Sequence, residues 1–311
     1  MDIIQDAYQK YNSRLALSFN GGKESDIVFS MVRILSLEKI KIYYVEDDDD
    51  FDEIIDHITD MCNKYNIDLM KYSDMKEAIS DLTSNHGVRA ILGGFRQSDP
   101  HAPKSHFQLT DNDWPDVIIV SPLLNWSYKD VWNYILSHDV EYCELYKRGY
   151  TSIGIKGNTF PNYKLYNNNN KYNHACELQD GDYERMGRIK IKLPITLSGK
   201  VVRGKGWGKK ILGIPTANLD IAENKLDDGV YMGYIYIKNK KYLFVMSCGI
   251  NPQFGDKSFE IHIIDMIDDD LYNNILKITI TRFIRPMEKY STIDKLKEAI
   301  FKDIKYGKVH G

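Results

Sequence analysis

Apolar residues run in short continuous blocks through the first half of the chain and alternate with polar ones in the second. Arg14–Phe19 (RLALSF), Lys39–Val45 (KIKIYYV), Val88–Leu92 and Val117–Val120 are blocks of strand length. Glu24–Leu37, Phe51–Tyr65 and Tyr128–His138 read as helices, the last with Val131, Tyr134 and Ile135 on one face. The acidic run Glu46–Glu53 opens the second of these, and Asp47–Asp50 reads as a solvated helix start, where carboxylates are favourable. Buried strands alternating with helices predict a parallel α/β sheet.

The texture changes near Asn167. Asn167–Asn170 reads as a low-complexity, solvent-facing insert, and Asp180–Lys192 is charged. After Leu193-Pro194, short strands separated by glycine turns are expected at Ile195–Val202, Gly229–Ile237, Tyr242–Cys248, Phe259–Met266 and Ile275–Phe283. Sheet edges must be paired or covered, so an antiparallel β-barrel is the expected closure, with Thr292–Tyr306 as a terminal amphipathic helix. The expected domains are 1–190 and 191–311.

A chain of 311 residues has room for two domains of ordinary size. Its formal charge of −3 gives no sign of a nucleic-acid or lipid partner, and no apolar run is long enough to span a bilayer. The N-terminus is unlike a secretory signal. The cysteines Cys62, Cys143, Cys176 and Cys248 are scattered, which argues against zinc or a disulfide framework and for a reducing cytoplasmic setting. Cys143 and Cys176 read as inert, and Trp114, Trp126 and Trp132 as core.

Two glycine loops carry the candidate chemistry. The first is Ser18-Phe19-Asn20-Gly21-Gly22-Lys23-Glu24-Ser25, between an expected strand and helix. A helix start offers unpaired N–H groups and a favourable dipole to an anion. Gly21 and Gly22 allow close backbone approach, Ser18, Asn20 and Ser25 add short polar contacts, and Lys23 a cation. On these residues alone a plain turn is an equal reading. The form S-x-N-G-G-K-x-S, however, resembles the PP-loop of ATP pyrophosphatases. More specifically, it resembles the eukaryotic-type FAD synthetases (FMN adenylyltransferases) of the PAPS-reductase-like superfamily. Further blocks match in order: Gly93–Pro100, Asp113–Pro115, Pro122–Trp132, Tyr142–Tyr146, Gly149–Gly154 and Glu184–Arg188.

The resemblance implies that Ser18, Asn20, Gly21, Gly22, Lys23 and Ser25 hold ATP, and that Arg96 and Asp99 contact flavin or its metal. It also implies that Arg185 and Arg188 hold the charge that develops as FMN attacks the α-phosphorus. Glu24 stands where many members of that family carry aspartate.

The second loop is Arg203-Gly204-Lys205-Gly206-Trp207-Gly208, followed by Leu212-Gly213-Ile214-Pro215-Thr216-Ala217-Asn218. By itself G-x-G-x-G suits any β-hairpin. With the second block, and with Gly229–Gly233, Met246–Pro252, Phe259–Ile263 and Ile284–Pro286, it resembles riboflavin kinase. The resemblance implies ATP binding by Gly204, Gly206, Gly208, Pro215, Thr216 and Asn218, with Mg²⁺ on Thr216 and Asn218. It makes Glu260 the base for the ribityl 5′-hydroxyl and Arg285 a flavin contact. From the strand alone, Glu260 reads equally as an exposed alternating residue, His262 as structural, and Arg285 as a surface ion pair.

Together these resemblances imply a bifunctional enzyme that converts riboflavin to FMN and FMN to FAD, using ATP and Mg²⁺. Its partners would be small molecules, with apo-flavoproteins as recipients. Two other readings stand beside it: a PP-loop domain acting on another substrate, and a flavin-binding protein with one inactive site.

Overall fold

The structure is a computed structural model that describes residues 1–37, 40–204, 213–221, 226–250, 257–265 and 271–311. The chain forms two compact units, 1–147 with 175–182, and 148–174 with 183–311. Compactness therefore does not divide at residue 190: residues 148–174 and 183–190 pack with the second unit.

In the first unit the order is α1 (Asp2–Tyr11), β1 (Leu15–Ser18), α2 (Lys23–Ile34), β2 (Lys41–Val45), α3 (Asp52–Tyr65), β3 (Leu69–Tyr72) and α4 (Met75–Ser84). There follow β4 (Ala90–Leu92), β5 (Phe107–Leu109), β6 (Ile118–Val120) and α5 (Tyr128–Ser137). The sheet runs β3-β2-β1-β4-β6-β5, parallel throughout except for β5, which pairs antiparallel with β6. The chain leaves β1 towards β2 on one side and returns to β4 on the other. The carboxyl ends of β1 and β4 therefore flank a topological switch point, where open α/β sheets bind ligands.

Local chemistry accounts for the boundaries. Asp74 caps α4 by accepting from the Glu77 N–H at 2.8 Å, and Ser127 and Asp130 form a reciprocal capping box at α5. Among the three tryptophans expected in the core, Trp132 is buried, Trp126 is half-buried against Tyr134, and Trp114 is 39% exposed. The expectation for Trp114 fails because it ends a tight turn, its N–H donating to the Asp111 carbonyl.

In the second unit, β7 (Ile195–Val202), β8 (Ala217–Asp220), β9 (Gly229–Ile237), β10 (Lys240–Ile250), β11 (Lys257–Ile263) and β12 (Ile275–Arg285) close a barrel in the order β10-β11-β8-β7-β12-β9. Every neighbour is antiparallel. Lys238 and Asn239, both at positive φ, make the two-residue turn between β9 and β10, where a mirror-image turn matches strand twist. Alternation sends Leu219, Tyr231, Phe244, Met246, Ile261 and Ile278 inward. The outer residues Val230, Met232, Val245 and Ile264 are covered by Tyr306 of α6 (Ile293–His310) and by Tyr166.

The asparagine run faces solvent at Asn168 and Asn169, as expected, and is a tight turn with packed flanks. The Asn167 N–H reaches the Lys171 carbonyl at 2.9 Å, and Tyr172 bonds Tyr306 hydroxyl to hydroxyl at 2.7 Å. Tyrosines on both sides of a polar loop anchor it against α6.

Phe244 is fully buried inside the barrel. Truncation by Phe244→Ala is expected to cost about 3–5 kcal/mol in urea unfolding of the barrel. A loss under about 1 kcal/mol would mean that the interior is not close-packed.

Candidate active sites

At the switch point, β1 ends at Ser18 and the chain turns into α2. Gly21 has φ +66°, a conformation side chains resist, and a Cβ there would come within 3.1 Å of Ile58. Gly22 is the N-cap of α2. Its N–H donates to Asn20 Oδ1 at 3.1 Å, and its carbonyl accepts from Ser25 Oγ at 2.8 Å. Asn20 and Ser25 thus hold the turn itself. Ser18 stands opposite the buried Tyr43 of β2. Tyr146 Oη accepts the Lys23 N–H at 2.9 Å, satisfying a donor of the first turn. Burial pushes the Tyr146 hydroxyl well above its ordinary pKa, so it stays protonated.

The Lys23 ammonium is not at the surface. It is 2% exposed, lies 5.4 Å and 5.5 Å from the ring centres of Tyr128 and Tyr146, and stands 3.0 Å from Glu24 Oε1. The same carboxylate oxygen is 3.0 Å from Nε of Arg96, itself 2% exposed, in the loop after β4. Glu24 therefore ties the first glycine loop to the second strand of the switch point. Gly94 makes the approach feasible, since a Cβ there would stand 2.6 Å from Glu24 Cβ and 2.9 Å from its backbone carbon. Arg96 and Asp99 share one turn: the Arg96 N–H donates to Asp99 Oδ2 at 2.9 Å, and the Asp99 N–H to the Arg96 carbonyl at 3.0 Å.

Under the loop, fully buried Asp26 of α2 lies 3.0 Å from Nε2 of His57 on α3. Burial pushes the Asp26 carboxyl up, opposed by His57. Burial lowers the imidazole pKa, but the charge and hydrogen bond of Asp26 outweigh it and leave His57 raised. Neither this pair, nor Tyr146, nor the Glu24–Arg96 tie was signalled by periodicity. All of them join residues far apart in the chain.

Arg185 and Arg188 lie in the second unit. There the Gly149–Gly154 and Glu184–Arg188 blocks meet. Thr151 Oγ1 donates to the Glu184 carbonyl at 2.6 Å, Arg185 Nη1 lies 3.5 Å from Ser152 Oγ, and Gly154 faces the Arg188 guanidinium, which a Cβ would strike.

On the barrel, register builds the site. Asn218 of β8 stands directly opposite Glu260 of β11, and opposite Val202 of β7 on its other side. Glu260 in turn pairs with Ser247 of β10, Ser247 with Val230 of β9, and Val230 with Arg285 of β12. Residues directly opposite share a face, so this row crosses the outside of the barrel. Thr216 is half-buried one residue before β8. Gly204 closes on Asn218, since a Cβ at 204 would lie 2.1 Å from Asn218 Nδ2. His262 Nδ1 donates to the Pro215 carbonyl at 2.8 Å, so its role is to pin the loop before β8. Gly206 and Gly208 lie outside the described residues.

Burial pushes the Glu260 carboxyl above its ordinary range, partly opposed by a hydrogen bond from Ser258. Arg285 is 4% exposed, which overturns its reading as a surface ion pair. Its Nε and Nη2 grip Asp303 of α6 at 3.0 Å and 2.6 Å. Among the described residues no cluster of His, Cys, Asp and Glu could hold a metal alone. The oxygen donors of Thr216, Asn218 and Glu260 instead suit a hard ion that shares a nucleotide's phosphates.

Residues 191–309 match the riboflavin kinase family, and residues 68–161 the phosphoadenosine phosphosulfate reductase domain. A probable FAD synthase of Schizosaccharomyces pombe is 37% identical, over 60% of this chain and 76% of that protein. The riboflavin kinase of Mus musculus is 37% identical, over 37% of this chain and 80% of that protein. This chain belongs to both the FAD synthase and the riboflavin kinase families. A probable FAD synthase of Caenorhabditis elegans is 32% identical, but the chain spans only 39% of its length. In fold, the FAD synthase half is similar to the crystal structure of Candida glabrata FMN adenylyltransferase, with a TM-score of 0.55 and 24% identity over 61% of this chain and 84% of that one. No helix among the described residues is long and apolar enough to cross a membrane.

Gly204→Ala is expected to displace Asn218 and weaken ATP binding by the barrel at least about tenfold in calorimetric titration, since the clash is with a polar group of the site itself. Unchanged affinity would place the nucleotide elsewhere.

Proposed function

We propose that the chain makes FAD from riboflavin in two steps. Residues 191–311 transfer the γ-phosphoryl of ATP to riboflavin, giving FMN and ADP. Residues 1–190 transfer AMP from a second ATP to FMN, giving FAD and pyrophosphate. The observation that carries the reading is the pairing of Glu260 with Asn218, against a glycine that leaves no room for a side chain.

In the kinase step, Gly204, Gly206, Gly208 and Pro215 form the phosphate cradle, and Thr216 and Asn218 offer oxygens to the triphosphate and Mg²⁺. When bound, Mg²⁺ neutralises charge on the transferring group. Glu260 accepts the proton of the ribityl 5′-hydroxyl. Burial raises its pKa, which makes its carboxylate a stronger base than that of an exposed glutamate. Arg285 contacts the flavin.

In the adenylyl step, the α2 start with Ser18, Asn20, Gly21, Gly22, Lys23 and Ser25 receives the ATP phosphates. Arg96 and Asp99, held at the switch point by Glu24 and by their own turn, orient FMN. Arg185 and Arg188 stabilise the charge on the leaving pyrophosphate. Such chemistry needs positioning and charge neutralisation more than covalent participation. The enzyme works in the cytoplasm, and its product passes to apo-flavoproteins.

A chromatographic time course with riboflavin, ATP and Mg²⁺ is expected to give FMN and then FAD. Accumulation of FMN alone would return the first domain to other PP-loop substrates. Glu260→Gln is expected to slow FMN formation by roughly 10²–10⁴-fold and leave FAD formation from supplied FMN intact. Loss of both would refute the division of labour.

The pH profile has a definite sign. Glu260 must be ionised to act as base, and burial raises its pKa. The acid limb of kcat/KM for riboflavin should therefore lie above about 4.3, the value of an unperturbed glutamate, with rate falling as pH drops through it. A limb at or below that value would exclude Glu260 as the titrating base.

A further inference from the structure

Arg285 and Glu260 occupy the same cross-strand row, with Val230 and Ser247 between them. Three strand spacings separate them, at most about 14 Å. That span is of the order of an extended ribityl chain plus one edge of a flavin ring. A substrate with its 5′-hydroxyl at Glu260 would then bring uncharged ring atoms towards Arg285.

A buried cation against an uncharged ring is costly unless its charge is balanced on the protein side. The structure supplies that balance. Asp303 of α6, 2% exposed, takes both Nε and Nη2 of Arg285 in a two-point grip. Arg285 Nη1 donates to the Pro286 carbonyl at 3.1 Å. Asp303 Oδ1 also accepts the Tyr163 hydroxyl at 3.0 Å. The Tyr163 and Tyr290 rings flank the guanidinium at 6.0 Å and 5.8 Å. A second tie runs parallel to the first, from Lys164 to Glu288 at 2.7 Å.

Tyr163 lies outside the stretch that matches riboflavin kinase. It belongs to residues 148–174, which pack in the barrel unit although they precede the barrel in the chain. We infer that Asp303 and Tyr163 are positioning residues for riboflavin, and that the barrel's substrate site is completed by this preceding segment. The hydroxyl of Tyr163 sets the Asp303 carboxylate, and the carboxylate sets the direction and balances the charge of Arg285. The inference rests on the reading of the barrel as a riboflavin kinase.

Arg285 is remote from the reacting atoms, so its loss of aim should weaken ground state and transition state alike. That separates positioning from chemistry. In the full-length chain, Asp303→Asn is expected to raise the riboflavin KM at least about tenfold with kcat within about threefold, the signature of lost uniform binding. Tyr163→Phe removes one hydroxyl and keeps the ring, and is expected to raise the same KM about threefold with kcat unchanged. FAD formation from supplied FMN, measured in the same preparations, should stay at the level of the unaltered chain. Tyr163→Phe with an unaltered riboflavin KM would overturn the proposal, whether or not Asp303→Asn folds. So would a fall in kcat at constant KM in either variant. Failure of the unaltered chain to phosphorylate riboflavin would instead sink the kinase reading, and this inference with it.

Discussion

One carboxylate oxygen of Glu24 stands 3.0 Å from two buried cations that belong to different loops. Lys23 opens α2, and Arg96 follows β4. Removing two such charges from water is tolerable only beside an opposite charge. The requirement brings both loops to one point at the ends of the central strands. The glycines then follow from clearance: Gly94 must lack a side chain because Glu24 fills that space. A glutamate in place of the usual aspartate keeps this arrangement, its carboxylate reaching both cations.

The barrel meets the same requirement by other means. Its reactive groups sit on strands, and register rather than a loop brings Asn218 opposite Glu260. Strands are stiffer supports than loops, so Asn218 and Glu260 are held beside each other by strand pairing. The charged end of the row is again neutralised by a partner on another element, here Asp303 of α6. In each unit a buried arginine is thus balanced by a carboxylate from another element, Arg96 by Glu24 of α2 and Arg285 by Asp303 of α6.

Much of this was legible in the chain. Dense apolar blocks announced β1, β2, β4 and β6, and alternation placed Phe259 and Ile261 opposite in direction to Glu260. The first glycine loop fell between a strand and a helix, β1 and α2, where the pattern put it. Several elements left no comparable signal. β3 (LMKY) is short and only half-buried, and β5 is a three-residue antiparallel edge strand. α1 precedes the first apolar block and α4 lies between a half-buried strand and a glycine turn, so neither was anticipated. β8, only four residues long, escaped for the same reason as β3, although it carries Asn218. Long-range polar pairs such as Asp26–His57, Lys23–Tyr146 and Arg285–Asp303 have no periodic trace, because partners on different elements are related only by the fold. The burial of Arg285 shows the limit clearly, since an arginine beside a proline at a strand end looks exposed until a helix covers it.

The course of the chain between its compact units has an evolutionary consequence. The chain crosses from one unit to the other after Lys147, again after His174, and again after Asp182. A simple tandem fusion would cross once and could be undone by a single break. Here a break after Lys147 or after Asp182 leaves one fragment, and a break after His174 leaves both, holding a piece that packs with the other unit. Gene fission would strand residues 148–174 or 175–182 on the wrong product, so once interleaved the two activities are inherited together or lost together.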